Sequence, residues 1–389
     1  MSVRHGGATE AVVIGGGVIG SSIAYHLARS GVRTTLLEKN DVACAASGAS
    51  AGGVRQQGRD PRELPLSMRA TVRWATLEEE LGADIHYRRG GHLTLTETEQ
   101  ERDALAASVE RQRAAGLDLV MVEGADLREL APAVSPRAIA GSYSREDGHA
   151  NPGMTTKAFA AAAARHGAEI RTGVTVLGLE VSGGGVVGVR TDEGLLAADV
   201  TILAAGAWSK TLAATVGIDL PIAPMGLQML LTEAVPHCLD QVLGSVGRRI
   251  SFKQVPSGHF LIGGGWPGDW SLDQSMGRVL PGSVWGSAQA ATAIVPATRG
   301  IGLEDAWVGI EARAADDVPI LGPVAGLDGL VVATGFSGHG FQLSPAIGQV
   351  IAELIVEGAP SIPLDALHLS RFDGGAKPSQ DDGLTQRVG

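Results

Sequence analysis

The chain has 389 residues, 44% of them hydrophobic, enough to bury a large core and divide it between two domains. A formal charge of -11 with no basic block excludes a nucleic-acid backbone as partner, although backbone N–H groups could still hold an anionic cofactor. The distant Cys44 and Cys238 exclude a disulfide framework and a cysteine metal site. No signal-peptide pattern opens the chain and no apolar window is long enough to span a membrane, so cytoplasmic residence is the expectation.

In chain order, residues 11–14 are a short apolar run ending at glycine and predict a buried parallel strand. Residues 18–29, with Ile19, Ile23 and Leu27 at helical spacing, predict a helix that Gly31 stops. Residues 32–37 predict the second strand of a βαβ unit. Further helices are predicted over 64–81, 98–115, 124–130 and 155–166, and a strand over 86–95. Residues 132–152 read as turn-rich. Three strands follow at 170–179, 186–189 and 196–203, the last running into Ala204-Ala205-Gly206-Ala207. Residues 222–265 read as an antiparallel sheet, 303–310 and 330–333 as buried strands, and 345–356 as a closing helix. The tail at 373–389 reads as flexible.

These elements define an α/β, Rossmann-like cofactor domain interleaved with an α+β, mainly antiparallel substrate domain. The expected division is 1–85, 150–215 and 303–372 for the first, and 86–149 and 216–302 for the second.

Gly15-Gly16-Gly17-Val18-Ile19-Gly20 fits GxGxxG between a strand and a helix. Gly15 supplies the tight turn, Gly17 lets the backbone approach a pyrophosphate, and Gly20 permits close helix–strand packing. Glu38 ends the next strand, where a carboxylate accepts from both ribose hydroxyls and repels a 2′-phosphate. Two more glycine-rich elements lengthen the implied site. One is residues 45–53; the other is Thr334-Gly335-Phe336-Ser337-Gly338-His339-Gly340, set before a helix N-terminus that attracts negative charge. Together they favour FAD over NAD.

The segments VVIGGGVIGSSIAYHLAR (12–29), LLEK (36–39), AASGASAGGVRQQ (45–57), LAAGAWS (203–209), WVGIEARAADDVPILGP (307–323) and VVATGFSGHGFQLSPAIGQVIAELI (331–355) resemble the D-amino-acid-oxidase type of FAD-dependent oxidoreductases. That group includes glycine and sarcosine oxidases and the catalytic β-subunits of heteromeric sarcosine oxidase and L-proline dehydrogenase. The resemblance implies that Gly15, Gly17 and Gly20, with Val18 and Ile19, hold the pyrophosphate, and Glu38 and Lys39 the adenosine ribose. Ser47, Gly52, Gly53, Val54 and the Arg55 region would pass the ribityl chain, and Val174 would contact adenine. Ala205 and Gly206, with Gly335, Ser337, Gly338, His339, Gly340 and Phe341, complete the cofactor wall toward the isoalloxazine ring.

The implied chemistry is hydride transfer from a carbon next to nitrogen to flavin N5, giving an imine that hydrolyses. Oxygen or a separate electron acceptor would reoxidise the flavin, in a homo- or hetero-oligomer. Residues 306–317 contain no cysteine, and the N-terminal loop lacks the histidine pair of dimethylglycine-dehydrogenase-like enzymes, so noncovalent FAD is expected. Where glycine-oxidase-like members carry Gly-Leu-Arg-Pro, this chain has Gly309-Ile310-Glu311-Ala312.

The candidate catalytic set is His339, Lys253, Arg55, Arg313 and Glu311. Arginine is suited to a substrate carboxylate because its donors form a bidentate fork, and the cations could instead be solvated or structural. Glu311 would receive a substrate ammonium or simply pair with Arg313. Gln56 and Gln57 are neutral donors, and Trp266 and Trp270 are pocket covers or core anchors. The expected substrate is an amino acid or N-substituted amino acid of sarcosine, proline or glycine type. The alternatives are a non-amino-acid amine, or a noncatalytic FAD-binding subunit or assembly factor.

Overall fold

The computed structural model describes residues 9–373. The stretch read as a flexible tail lies, from 374 onward, outside the described residues.

A six-stranded sheet runs in the order Ile320–Pro323, Leu330–Thr334, Val200–Leu203, Glu10–Ile14, Arg33–Glu38 and Glu169–Thr172. All its pairs are parallel except the one made by the edge strand Ile320–Pro323. The chain leaves Glu10–Ile14 toward one side and returns on the other. A crevice therefore opens at the carboxyl ends of the first strand and Val200–Leu203, where doubly wound sheets bind ligands. The first helix, Val18–Arg29, packs against the closing helix, Gly340–Val356. Their approach is close: a Cβ at Gly348 would stand 2.2 Å from Ser22 Oγ.

The second layer is an eight-stranded sheet in the order Leu303–Ala314, Ile222–Ala234, His259–Gly263, Ser251–Gln254, Val242–Ser245, His92–Thr96, Ala140–Ser144 and Val120–Glu123. It is antiparallel apart from the pairing of Val242–Ser245 with His92–Thr96. One face buries Leu93, Leu95, Phe252 and Phe260 with Ala290, Ala291 and Ile294 of the helix Pro281–Ile294. Strand alternation turns His92, Thr94, Ser142, Ser144 and Lys253 to the opposite face, where all are buried.

Several elements differ from the sequence expectation. The helix predicted over 64–81 breaks into Leu64–Trp74 and Leu77–Leu81, which brings Leu77 and Leu81 into the same core as the fully buried Trp74. The turn-rich 132–152 contains the strands Ala140–Ser144 and Gly148–His149. Small residues hid the first of these, because Gly141 packs where a Cβ would meet Leu93 at 2.8 Å. The predicted strands 170–179 and 196–203 are each two strands, and the predicted strand 86–95 is confined to His92–Thr96. Val120–Glu123, Ile320–Pro323 and the helix Pro281–Ile294 carried no prediction. Leu303–Ala314 pairs along Ile222–Ala234 in the eight-stranded sheet, whereas the expected division grouped it with the cofactor layer.

The closing helix begins five residues before Pro345. That proline leaves the Phe341 carbonyl without its helical donor, and the Ser344 hydroxyl donates to it at 2.8 Å. The helix can therefore start at Gly340 and keep its N-terminus on the crevice.

Candidate active site

A cavity of about 1700 Å³ extends from Glu38 and Lys39, past the glycine loop, to Glu311, Arg59 and His339. Pockets for one drug-sized ligand fall at roughly 300–1,000 Å³, so this one has room for an extended cofactor and a small substrate.

At the adenosine end the wall is backbone. Gly15 has φ +111°, and a Cβ there would stand 2.5 Å from the Ala204 carbonyl oxygen. A Cβ at Gly20 would be 2.0 Å from the Gly15 carbonyl oxygen, so Gly20 serves helix–strand packing and does not line the cavity. Gly17, at the N-cap of the first helix, brings no side chain of its own, and the N-terminal dipole of the helix is directed at the crevice. Ser47 lies here and lines the cavity, its Oγ accepting from the Val18 N–H at 2.9 Å.

Glu38 is oriented by two backbone donors, Gly16 N–H to Oε2 at 2.7 Å and Asn40 N–H to Oε1 at 2.9 Å. Val174 donates its N–H to the Glu38 carbonyl, which sets its side chain against the same end of the cavity. Lys39 Nζ lies 3.8 Å from the Trp208 ring centroid and 2.7 Å from Ser275 Oγ. Ala205, Gly206, Gly52 and Gly53 also line the cavity, while Val54 is fully buried away from it. This donor-rich, glycine-opened cradle and oriented carboxylate fit the diphosphate and ribose of FAD.

The far end is built from side chains. Gly335, Ser337 and Gly338 take left-handed φ values of +70°, +52° and +88°, turning the chain into the closing helix with His339 at its N-cap. Those three residues, His339, Gly340 and Phe341 all line the cavity. Glu311 receives the Gly338 N–H and lines the cavity. Burial pushes its carboxyl up to about 7, and no cation pairs with it among the described residues.

Behind the wall lies a buried polar network of which the sequence had offered Arg55, Gln56 and Gln57 but not Asp147, His92, Ser142, Arg59 or Glu63. Asp147 accepts from the N–H groups of Gln56 at 3.0 Å and Gln57 at 3.4 Å, and burial still raises its carboxyl to about 6. Gln57 Nε2 meets His92 Nδ1 at 2.8 Å, and Gln57 Oε1 accepts from Ser142. Arg55 and Arg59 both line the cavity; burial and their mutual repulsion lower Arg55 to about 9. Arg59 Nε donates to the Arg55 carbonyl, whereas its buried Nη1 has no partner. Glu63 is fully buried with its Oε1 2.8 Å from His339 Nδ1. The only sequence signal for Arg59 and Glu63 was their place just after a glycine-rich loop.

The other candidates separate. Arg55, Glu311 and His339 share the cavity. Arg313 lines its outer part but is paired with Asp317, not with Glu311. Lys253 is buried and is not among the residues lining the cavity, no hydrogen bond or ion pair of its ammonium is found among the described residues, and burial pulls that ammonium down to about 7. Gln57 is consumed by the network. Trp266 donates to the Arg249 carbonyl and Trp270 is 41% exposed, and neither lines the cavity. Among the described residues no group of three or more His, Cys, Asp or Glu could hold a metal, and no helix is long and apolar enough to cross a membrane.

Residues 10–354 match the family described as FAD dependent oxidoreductase. The chain belongs to that family. This flavoenzyme is 29% identical over 381 residues to 4-methylaminobutanoate oxidase (formaldehyde-forming) of Paenarthrobacter nicotinovorans, covering 93% of this chain and 45% of that one. It is 29% identical to glycine oxidase of Geobacillus kaustophilus, covering 94% of this chain and 97% of that one. The solved L-proline dehydrogenase of P. horikoshii superposes with a TM-score of 0.88 at 28% identity, covering 95% and 99% of the two chains. The flavoenzyme therefore spans the full length of some relatives and about half of others.

Proposed function

We propose that the flavoenzyme oxidises the carbon–nitrogen bond of an amino acid or N-substituted amino acid of sarcosine, proline or glycine type, with noncovalently held FAD. The observation that carries this reading is the continuity of one cavity from the Glu38 end to Arg59, His339 and Glu311. Two relatives are named for 4-methylaminobutanoate and glycine, each an amine that carries a carboxylate. FAD, when bound, supplies the acceptor for a hydride from the carbon next to nitrogen.

In this reading the loop at Gly15–Gly20 holds the pyrophosphate, Glu38 the ribose hydroxyls, and the segment from Gly335 to Phe341 the isoalloxazine side. Arg59, through its unpartnered Nη1, and Arg55 receive the substrate carboxylate. Glu311 faces the amine, which must be neutral when its α-hydrogen leaves. The carbon is brought to reaction distance by these two anchors rather than by a strong base. The imine released into water hydrolyses.

An anaerobic panel of amines on the yellow protein tests this. Loss of flavin absorbance on adding sarcosine, proline or glycine is expected, and the same panel in air separates oxidase from dehydrogenase. No bleaching by any amine would leave a noncatalytic flavoprotein. A second reading, a carboxylate-free amine, draws on Glu311, whose carboxylate has no cation of its own. It requires bleaching by simple amines in preference to amino acids.

A further inference from the structure

Glu63 is a fully buried carboxylate of the network. It begins the helix Leu64–Trp74 at its N-cap position, has no exposed surface, and has neither oxygen in a well-aligned hydrogen bond among the described residues; the close approach is that of Oε1 to His339 Nδ1, at 2.8 Å. A buried carboxylate with one imidazole and a through-space guanidinium is a poor way to stabilise a fold, and an apolar residue of similar size would serve at least as well. The pair also bridges two segments that flank the cavity, the loop before Leu64–Trp74 and the N-cap of the closing helix.

The surroundings set the charge states. His339 is faced by Arg55, Arg59 and Glu63 from the loop; Asp60 acts on Glu63, Glu311 meets the neighbouring Gly338 N–H, and Asp147 and His92 act on Arg55. Burial, with the two guanidiniums, keeps the imidazole neutral near pH 7. Burial opposes ionisation of Glu63, but His339 and Arg59 outweigh it and hold the carboxyl below its usual range. A neutral imidazole beside an ionised carboxylate carries its proton on Nδ1. Its Nε2 is then an acceptor on the side of the ring that opens to the cavity.

We propose that Glu63 is a positioning residue acting through His339, fixing the Nδ1–H tautomer so that Nε2 takes the proton from the substrate ammonium. The proton moves from nitrogen to Nε2, the amine becomes neutral, and the resulting imidazolium is held against the Glu63 carboxylate. The proton returns to solvent after the product leaves. This step rests on the amine substrate proposed above.

The test uses FAD-loaded wild type, Glu63→Gln and His339→Gln. Histidine-labelled protein is read by NMR, with the His339 signal identified by its loss in His339→Gln. Wild type should show the Nδ1–H tautomer, and Glu63→Gln a mixed or reversed one. In anaerobic flavin reduction across pH, both variants should move the acid limb upward by about one unit or more, because the amine must then lose its proton to water. An unchanged tautomer in Glu63→Gln overturns the proposal. A changed tautomer with an unmoved acid limb overturns it too, since Glu63 would then be structural only. If no amine reduces the flavin, the function proposed above fails, while the tautomer reading still decides whether Glu63 holds His339. Should Glu63→Gln not fold, the acid limb of His339→Gln decides alone.

Discussion

The two ends of the cavity are made of different material. The Glu38 end is mainly backbone: a glycine turn, a helix N-terminus whose N-cap is glycine, and one carboxylate pinned by two N–H groups. The far end is a set of titratable side chains, Arg55, Arg59, Glu63, Glu311 and His339, held in a space that penalises charge. Backbone sites tolerate little change in shape but need no particular charge state. Side-chain sites are open to retuning through ionisation, which is where relatives with different substrates can diverge.

The contrast can be broken at either end. The largest effect is expected for Gly15→Val, which adds a branched side chain where even a Cβ would meet the Ala204 carbonyl at 2.5 Å. It should yield protein without flavin absorbance, and normal yellow colour would refute a backbone-limited site. Next, Arg59→Met removes the buried donor without a partner. A lost charge-assisted hydrogen bond is worth about 1.5–3 kcal/mol, so the apparent Kd of a carboxylate-bearing amine should rise roughly 10- to 100-fold in anaerobic titration. A change below about threefold would move the carboxylate elsewhere.

Smaller again is Glu38→Ala, expected to weaken FAD by about tenfold, measured by fluorescence of released flavin on dilution. Retained affinity would mean that the ribose is not held there. The mildest effect concerns stability. Glu311 has a folded carboxyl near 7 against 4.5 when free. Between those values the folded chain binds more protons than the unfolded one, so this group's contribution falls as pH rises and is fully lost above about 7. In flavin-free protein, Glu311→Gln should raise Tm by about 2 °C at alkaline pH and leave it unchanged near pH 4.5. Equal effects at both pH values would show that the buried charge is not the cause.

How much was visible beforehand follows the same division. The first βαβ unit was legible because its determinants are local: strand, glycines, helix and Glu38 fall within thirty residues and each constrains the next. The His339 loop was legible from glycine spacing before a helix. Arg59 and Glu63 were not, because their meaning comes from contact with a residue more than 270 positions away, which no local period records. Lys253 was placed correctly on its strand, on the face whose Ser251 lines the cavity, although Lys253 itself is not among the lining residues. Ala140–Ser144 escaped because a strand of small residues shows no apolar alternation. The closing helix seemed to start at Pro345 because the local repair by Ser344 is invisible to a propensity rule.

The strand order has a consequence for biosynthesis. Glu10–Ile14, made first, pairs with Val200–Leu203, which in turn pairs with Leu330–Thr334. During synthesis the glycine loop therefore waits for its far neighbours, and the cofactor cannot be gripped at both ends until the segment around His339 has cleared the ribosome. Long-range parallel pairing of this kind is slow.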